Sequence, residues 1–142
     1  YQVVHLCGKG KLDDSLKPTQ GYAQFEYINQ ELRDIFAMAD IVISRAGANA
    51  ICELLALRKP NILIPLSAAA SRGDQILNAH SFEKQGFSMV IEEENLSDVV
   101  LLKAIQELFQ NRDKYIDAMS RSKQFNSVET VIQLIEEAAR KK

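Results

Sequence analysis

Ile41-Val42-Ile43-Ser44-Arg45-Ala46-Gly47-Ala48, Asn61-Ile62-Leu63-Ile64-Pro65-Leu66 and Asp74-Gln75-Ile76-Leu77-Asn78-Ala79 decide the fold. The first stretch is an apolar run closed by a glycine-bearing turn, and an amphipathic segment carrying Glu53 follows it. The second is another apolar run, which leads through a polar loop into the third. The order is strand, turn, helix, strand, loop, helix. Continuous apolarity, rather than alternation, suits strands covered on both faces. Repeated β-then-α units join by right-handed crossovers into a parallel sheet. Both turns then open at its carboxyl edge, where ligands usually bind. Two polar clusters at one crevice suit an anionic, hydroxyl-rich molecule.

Working outward, strand-length apolar runs occur at residues 3–7, 22–25, 41–44, 62–66 and 89–91. They are expected to form one parallel sheet with helices on both faces, a Rossmann-like α/β fold. A helix over 29–39 would put Leu32, Ile35, Phe36 and Ala39 on one face, with Asn29 as N-cap. The spacing predicts further helices over 48–57, with Ile51, Leu54 and Leu55 inward, and over 74–85. Another over 97–110 would carry a stripe of Val100, Leu101, Ala104, Ile105 and Leu108, and a short one would span 112–121. A last helix would start at Asn126, with Glu129 as its capping partner. The polar stretch 9–20, with Gly10 and Pro18, reads as a loop. No repeat or low-complexity linker divides the chain, so residues 1–142 are expected to be one domain.

A length of 142 residues can bury a substantial core. The 46% hydrophobic and 25% charged fractions are those of an ordinary globular protein. A net charge of −2 supplies no basic field, which argues against a nucleic-acid partner. Cys7 and Cys52 have no metal-type spacing and read as free thiols of a reducing compartment. No apolar run approaches the roughly 20 residues that cross a bilayer, and no signal peptide opens the chain, so a cytoplasmic location is expected. The first residue is Tyr1, already in strand sequence, as expected of an excised piece.

Three clusters could carry chemistry. In the 44–48 turn, Gly47 lets backbone approach a ligand closely, and the N–H groups that open the next helix attract anions. A plain strand-to-helix turn would favour glycine too. The GxGxxG and Walker spacings are absent. Glu53 points away from the buried face, and its carboxylate could accept two vicinal hydroxyls, as on a ribose, or simply be solvated. Asp74 and Asn78 share a helix face with Gln75 beside them, and such amides can sort sugar hydroxyls. The alternative is Asp74 as an N-cap beside polar surface. Residues 71–73 could supply a mobile cation. His5 reads as a core or edge residue and His80 as a surface one, and no Ser/His/Asp set appears.

Ser44-Arg45-Ala46-Gly47-Ala48 with Glu53, Lys59-Pro60 with Leu63-Ile64-Pro65, and Asp74-Gln75 with Asn78-Ala79 together resemble the MurG family of transferases. Those enzymes move N-acetylglucosamine from UDP to form lipid II. The likeness is to their C-terminal, donor-binding domain and runs nearly end to end. It implies the C-terminal half of a GT-B glycosyltransferase, with the first β/α unit missing. It also implies that UDP-N-acetylglucosamine is the donor and a lipid-linked muramoyl-pentapeptide the acceptor. The full-length enzyme would then sit peripherally on the cytoplasmic face of the cell membrane. By the same resemblance Glu53 matches the ribose-binding glutamate, and Gly47 and Ala48 match the diphosphate-facing helix start. Arg45 matches the arginine of the turn. Asp74, Gln75 and Asn78 match the sugar contacts, and the segment 27–29, centred on Ile28, matches the uracil-facing backbone. Ala50 departs from the pattern, standing where many members carry a Thr. No cofactor or metal is implied, and the catalytic base is expected outside this chain. Other readings are the donor domain of another GT-B UDP-sugar transferase and a non-catalytic nucleotide-binding module.

Overall fold

A computed structural model describes residues 1–70 and 72–122. The expected helix from Asn126 lies outside the described residues. The chain divides into two compact units, Tyr1–Ala39 and Asp40–Lys142.

In the first unit, β1 (Val3–Leu6) and β2 (Tyr22–Phe25) pair in parallel, with Val3 opposite Tyr22 and Leu6 opposite Phe25. The polar stretch between them has local order. Asp13 caps a short 3₁₀ turn at Asp14–Leu16 by accepting from the Ser15 amide at 3.0 Å and the Ser15 hydroxyl. Gln24 of β2 binds both backbone polar groups of Asp13, which fastens the loop to the strand. His5 and Tyr22 bond through Nδ1 and the phenol oxygen at 2.7 Å, so His5 is an edge residue. Helix α1 (Leu32–Met38) is shorter than expected. Asn29 is not its N-cap: Glu31 holds that place, and the Asn29 backbone carbonyl accepts from Leu32 instead.

In the second unit, β3 (Val42–Ser44), β4 (Asn61–Leu63) and β5 (Met89–Val90) form a parallel sheet in that order. Helix α2 (Ala48–Ala56) links β3 to β4, and α3 (Asp74–Lys84) links β4 to β5. Two right-handed crossovers in one direction put both helices on one face. Their buried residues are Ile51, Leu54, Leu55, Ala79 and Phe82, the first three as the spacing predicts. Phe82 meets Phe87 edge-on at 5.6 Å. Helices α4 (Asp98–Gln110) and α5 (Arg112–Ser120) follow β5. Ser97 caps α4, accepting from the Val100 amide. Ala104 and Leu108 of α4 join Ile62, Ile64 and Ile91 in one core, with Leu101, Ile105 and Tyr115 packed against it. Val100 falls outside that stripe and stays 39% exposed.

The pairing is parallel throughout, as expected, with the β1–β2 ladder in the first unit and the β3–β4–β5 ladder in the second. The strands are shorter than the apolar runs. After Leu63, Ile64 still donates to Ser44 at 2.8 Å, but Pro65 has no N–H and ends the ladder. Cover on both faces holds for β4, where Ile62 and Leu63 are fully buried. It fails for β1, where Val3 is 46% and Leu6 44% exposed. None of the described helices is long and apolar enough to cross a membrane.

Candidate functional site

The carboxyl ends of β3, β4 and β5 bring three loops together, as the parallel register requires. The β3–α2 turn is the most constrained. Ala46 is fully buried with φ +62, a left-handed conformation costing a non-glycine residue about 1–2 kcal/mol. Asn78 of α3 holds it there, its Nδ2 donating to the Ala46 carbonyl at 3.3 Å. Gly47 has an ordinary extended backbone, so glycine is not required there for φ. A Cβ at Gly47 would meet nothing within 4 Å, which leaves open space for an approaching ligand.

Gly47 is the N-cap of α2 and supplies no side-chain cap, and the first turn holds no acidic residue. The first amides of this helix therefore donate to no cap side chain, and they stand at the positive end of its dipole. Phosphate or diphosphate fits such a place. Ala50, in the first turn of α2, has no side-chain donor to add.

Helix α3 supplies the second cluster. Its N-cap is Gly73, with φ +85, where glycine is required. Asp74 is thus the first helical residue, exposed, and not the cap. Gln75 Oε1 accepts from the Leu66 amide at 3.0 Å and so fastens the β4–α3 loop. Gln75 and Asn78 are each tied by one end of the amide to a loop backbone. Glu53 is exposed in the second turn of α2. Ile28 lies half-buried in the first unit, in the segment between β2 and α1.

Glu93 is the residue that sequence reasoning missed. It opens a short 3₁₀ turn, Glu93–Asn95, just after β5. Its Oε1 accepts from Arg45 Nη2, and its Oε2 accepts from the Ser67 amide at 3.0 Å. The Arg45 hydrogen bond, with the Ser67 amide next, holds this carboxyl below the usual glutamate range. The available signal was position: Glu92-Glu93-Glu94 follows the last strand, at the edge where the other loops open. His80 is a surface residue, as expected, and bridges Glu83 at 3.2 Å and Glu92 at 2.9 Å. Among the described residues, no three His, Cys, Asp or Glu side chains gather as a metal site.

A parallel sheet with polar loops and an uncapped helix N-terminus at its carboxyl edge defines a Rossmann-like α/β fold, whose ligands bind at that edge. The sequence model of the glycosyltransferase family 28 C-terminal domain matches residues 1–135, and the chain belongs to that family. A relative from Lachnoclostridium phytofermentans is 66% identical over 96% of this chain. One from Clostridium perfringens strain SM101 is 63% identical over 98%. Each is named a UDP-N-acetylglucosamine–N-acetylmuramyl-(pentapeptide) pyrophosphoryl-undecaprenol N-acetylglucosamine transferase. The chain spans 39% of the length of each. Among solved structures, Acinetobacter baumannii MurG superposes with a TM-score of 0.73 at 20% identity. That match covers 96% of this chain and 40% of the other. The glycosyltransferase VinC, solved in complex with DTDP, gives 0.66 at 17% identity, covering 85% of this chain and 30% of the other. These two likenesses establish the fold, that of the C-terminal half of a GT-B glycosyltransferase.

Proposed function

We propose that this chain is the donor-binding domain of an inverting N-acetylglucosaminyltransferase. The complete enzyme moves N-acetylglucosamine from UDP to a lipid-linked muramoyl-pentapeptide, converting lipid I to lipid II on the cytoplasmic face of the membrane. The observation that carries the reading is the uncapped start of α2 at Gly47 and Ala48, with Arg45 two residues before Gly47 in the same turn. That pair of features suits a nucleoside diphosphate. The names of the relatives at 66% and 63% identity support the choice of sugar and acceptor.

In this reading Glu53 accepts the two ribose hydroxyls, and Gln75 and Asn78, with Asp74, meet the sugar. An acceptor hydroxyl, deprotonated by a base outside this chain, attacks the anomeric carbon while the bond to UDP breaks. The helix N-terminus and Arg45 stabilise the charge that develops on the departing diphosphate.

Calorimetric titration of a full-length transferase carrying this chain tests the reading. UDP-N-acetylglucosamine and UDP should bind, and GDP-mannose should not. Equal binding of all three, or of none, overturns the assignment.

A further inference from the structure

We infer that Glu93 is a positioning residue, which sets Arg45 for an incoming diphosphate by tying two loops of the site together. The inference rests on the nucleotide reading above. Both carboxylate oxygens are engaged, each by a different loop: Oε1 by Arg45 of the β3–α2 turn, Oε2 by the Ser67 amide of the β4–α3 loop. Glu93 stands 48 residues from Arg45 and 26 from Ser67 in sequence, so these bonds join segments that local structure does not hold.

Arg45 has a 43% exposed side chain. A long cationic side chain at that exposure samples many rotamers unless something holds it, and ordering it during binding weakens affinity. A guanidinium has five donors in a rigid fork, so one occupied Nη2 leaves others for phosphate oxygens. The carboxylate also carries a charge that opposes an anion. At this exposure the opposition is screened, whereas the bonds of Glu93 order two loops at once. Preorganisation therefore outweighs repulsion, and removing Glu93 weakens binding. The depressed proton affinity of Glu93 agrees with a carboxylate that stays ionised while it holds the cation.

The test uses a full-length transferase carrying this chain, titrated with uridine and with UDP. Glu93→Ala should raise the Kd for UDP about five- to twenty-fold and leave the Kd for uridine within two-fold. Glu93→Gln, which keeps an acceptor for the Ser67 amide, should fall between. Because Glu93 acts through Arg45, Arg45→Ala with Glu93→Ala should bind UDP within two-fold of Arg45→Ala alone. A change shared by uridine and UDP marks general loosening and overturns the inference. So does multiplication of the two single effects in the double variant. Unchanged or tighter UDP binding by Glu93→Ala overturns it while the nucleotide reading stands. Failure of the unsubstituted protein to bind UDP removes both.

Discussion

β1 and β4 begin from the same kind of sequence and end in opposite surroundings. Val3-Val4-His5-Leu6 and Asn61-Ile62-Leu63 are both short, largely apolar, parallel-paired strands. All of β1 is exposed, and all of β4 is buried. β4 has strands on both sides, and the core beneath it includes Ala104 and Leu108 of α4. β1 has one described strand partner, β2. The lesson is that apolar pattern records the surroundings a strand is suited to, while its burial is decided by elements distant in sequence. The features of the candidate nucleotide site that interlock also lie on the buried strand's unit. There a packed sheet gives the loops fixed ends.

The largest effect should separate the two strands directly. Leu63→Ala removes a fully buried side chain and should destabilise the chain by about 2–5 kcal/mol. Val4→Ala, at a position 38% exposed, should cost less than about 1 kcal/mol. Urea unfolding followed by circular dichroism measures both. Equal costs would mean that β1 is as firmly packed as β4, and the contrast would disappear.

A second test asks whether the packed unit carries the site. Glu53→Ala should weaken UDP binding roughly ten- to hundred-fold in a full-length transferase, as loss of a charged hydrogen-bond acceptor does. Glu83→Ala is the control, since the exposed Glu83 carboxylate bonds His80 on the surface of α3. Like behaviour of the two variants in a UDP titration would return Glu53 to an ordinary surface role.

Exposure of β1 makes a third, smaller prediction. Unpaired strand edges and uncovered apolar faces promote association. The 142-residue chain should therefore self-associate as its concentration rises, and Val4→Lys should reduce this in sedimentation velocity. Association unaffected by Val4→Lys would place the sticky surface elsewhere.

Much of the second unit was legible because its signals are local. Runs of apolar residues mark β3 and β4, Ile51, Leu54 and Leu55 mark the inner face of α2, and Ser97 marks the start of α4. Ends of elements were less legible: Gly73 rather than Asp74 caps α3, because glycine's left-handed backbone leaves no mark in hydrophobic pattern. The exposure of β1 was not legible at all, since burial depends on partners and not on the strand itself. At the site, residue types drew attention to Arg45, Gln75 and Asn78. That Asn78 braces a left-handed Ala46, and that Glu93 joins Arg45 to Ser67, are long-range facts with no spacing to announce them.

The smallest predicted effect compares one carboxylate from each unit. Asp13 and Glu93 are both held below their usual proton affinities, Asp13 by the Ser15 hydroxyl first and its amide next, Glu93 by Arg45 first. A depressed carboxylate contributes stability that is present above its unfolded pKa and is lost as pH falls through the folded one. The two differ in what the unfolded chain retains. Ser15 is two residues from Asp13, so that contact persists locally after unfolding and the folded and unfolded affinities stay close. Arg45 and Ser67 are far from Glu93 in sequence, so unfolding removes both bonds. Melting temperatures of the unsubstituted chain and of Glu93→Gln should therefore differ at pH 7 and converge as pH falls below the ordinary glutamate range. Asp13→Asn should show a smaller change over the same interval. A larger pH-dependent change for Asp13→Asn would mean that the local turn, not the bridge between loops, is the more consequential of the two.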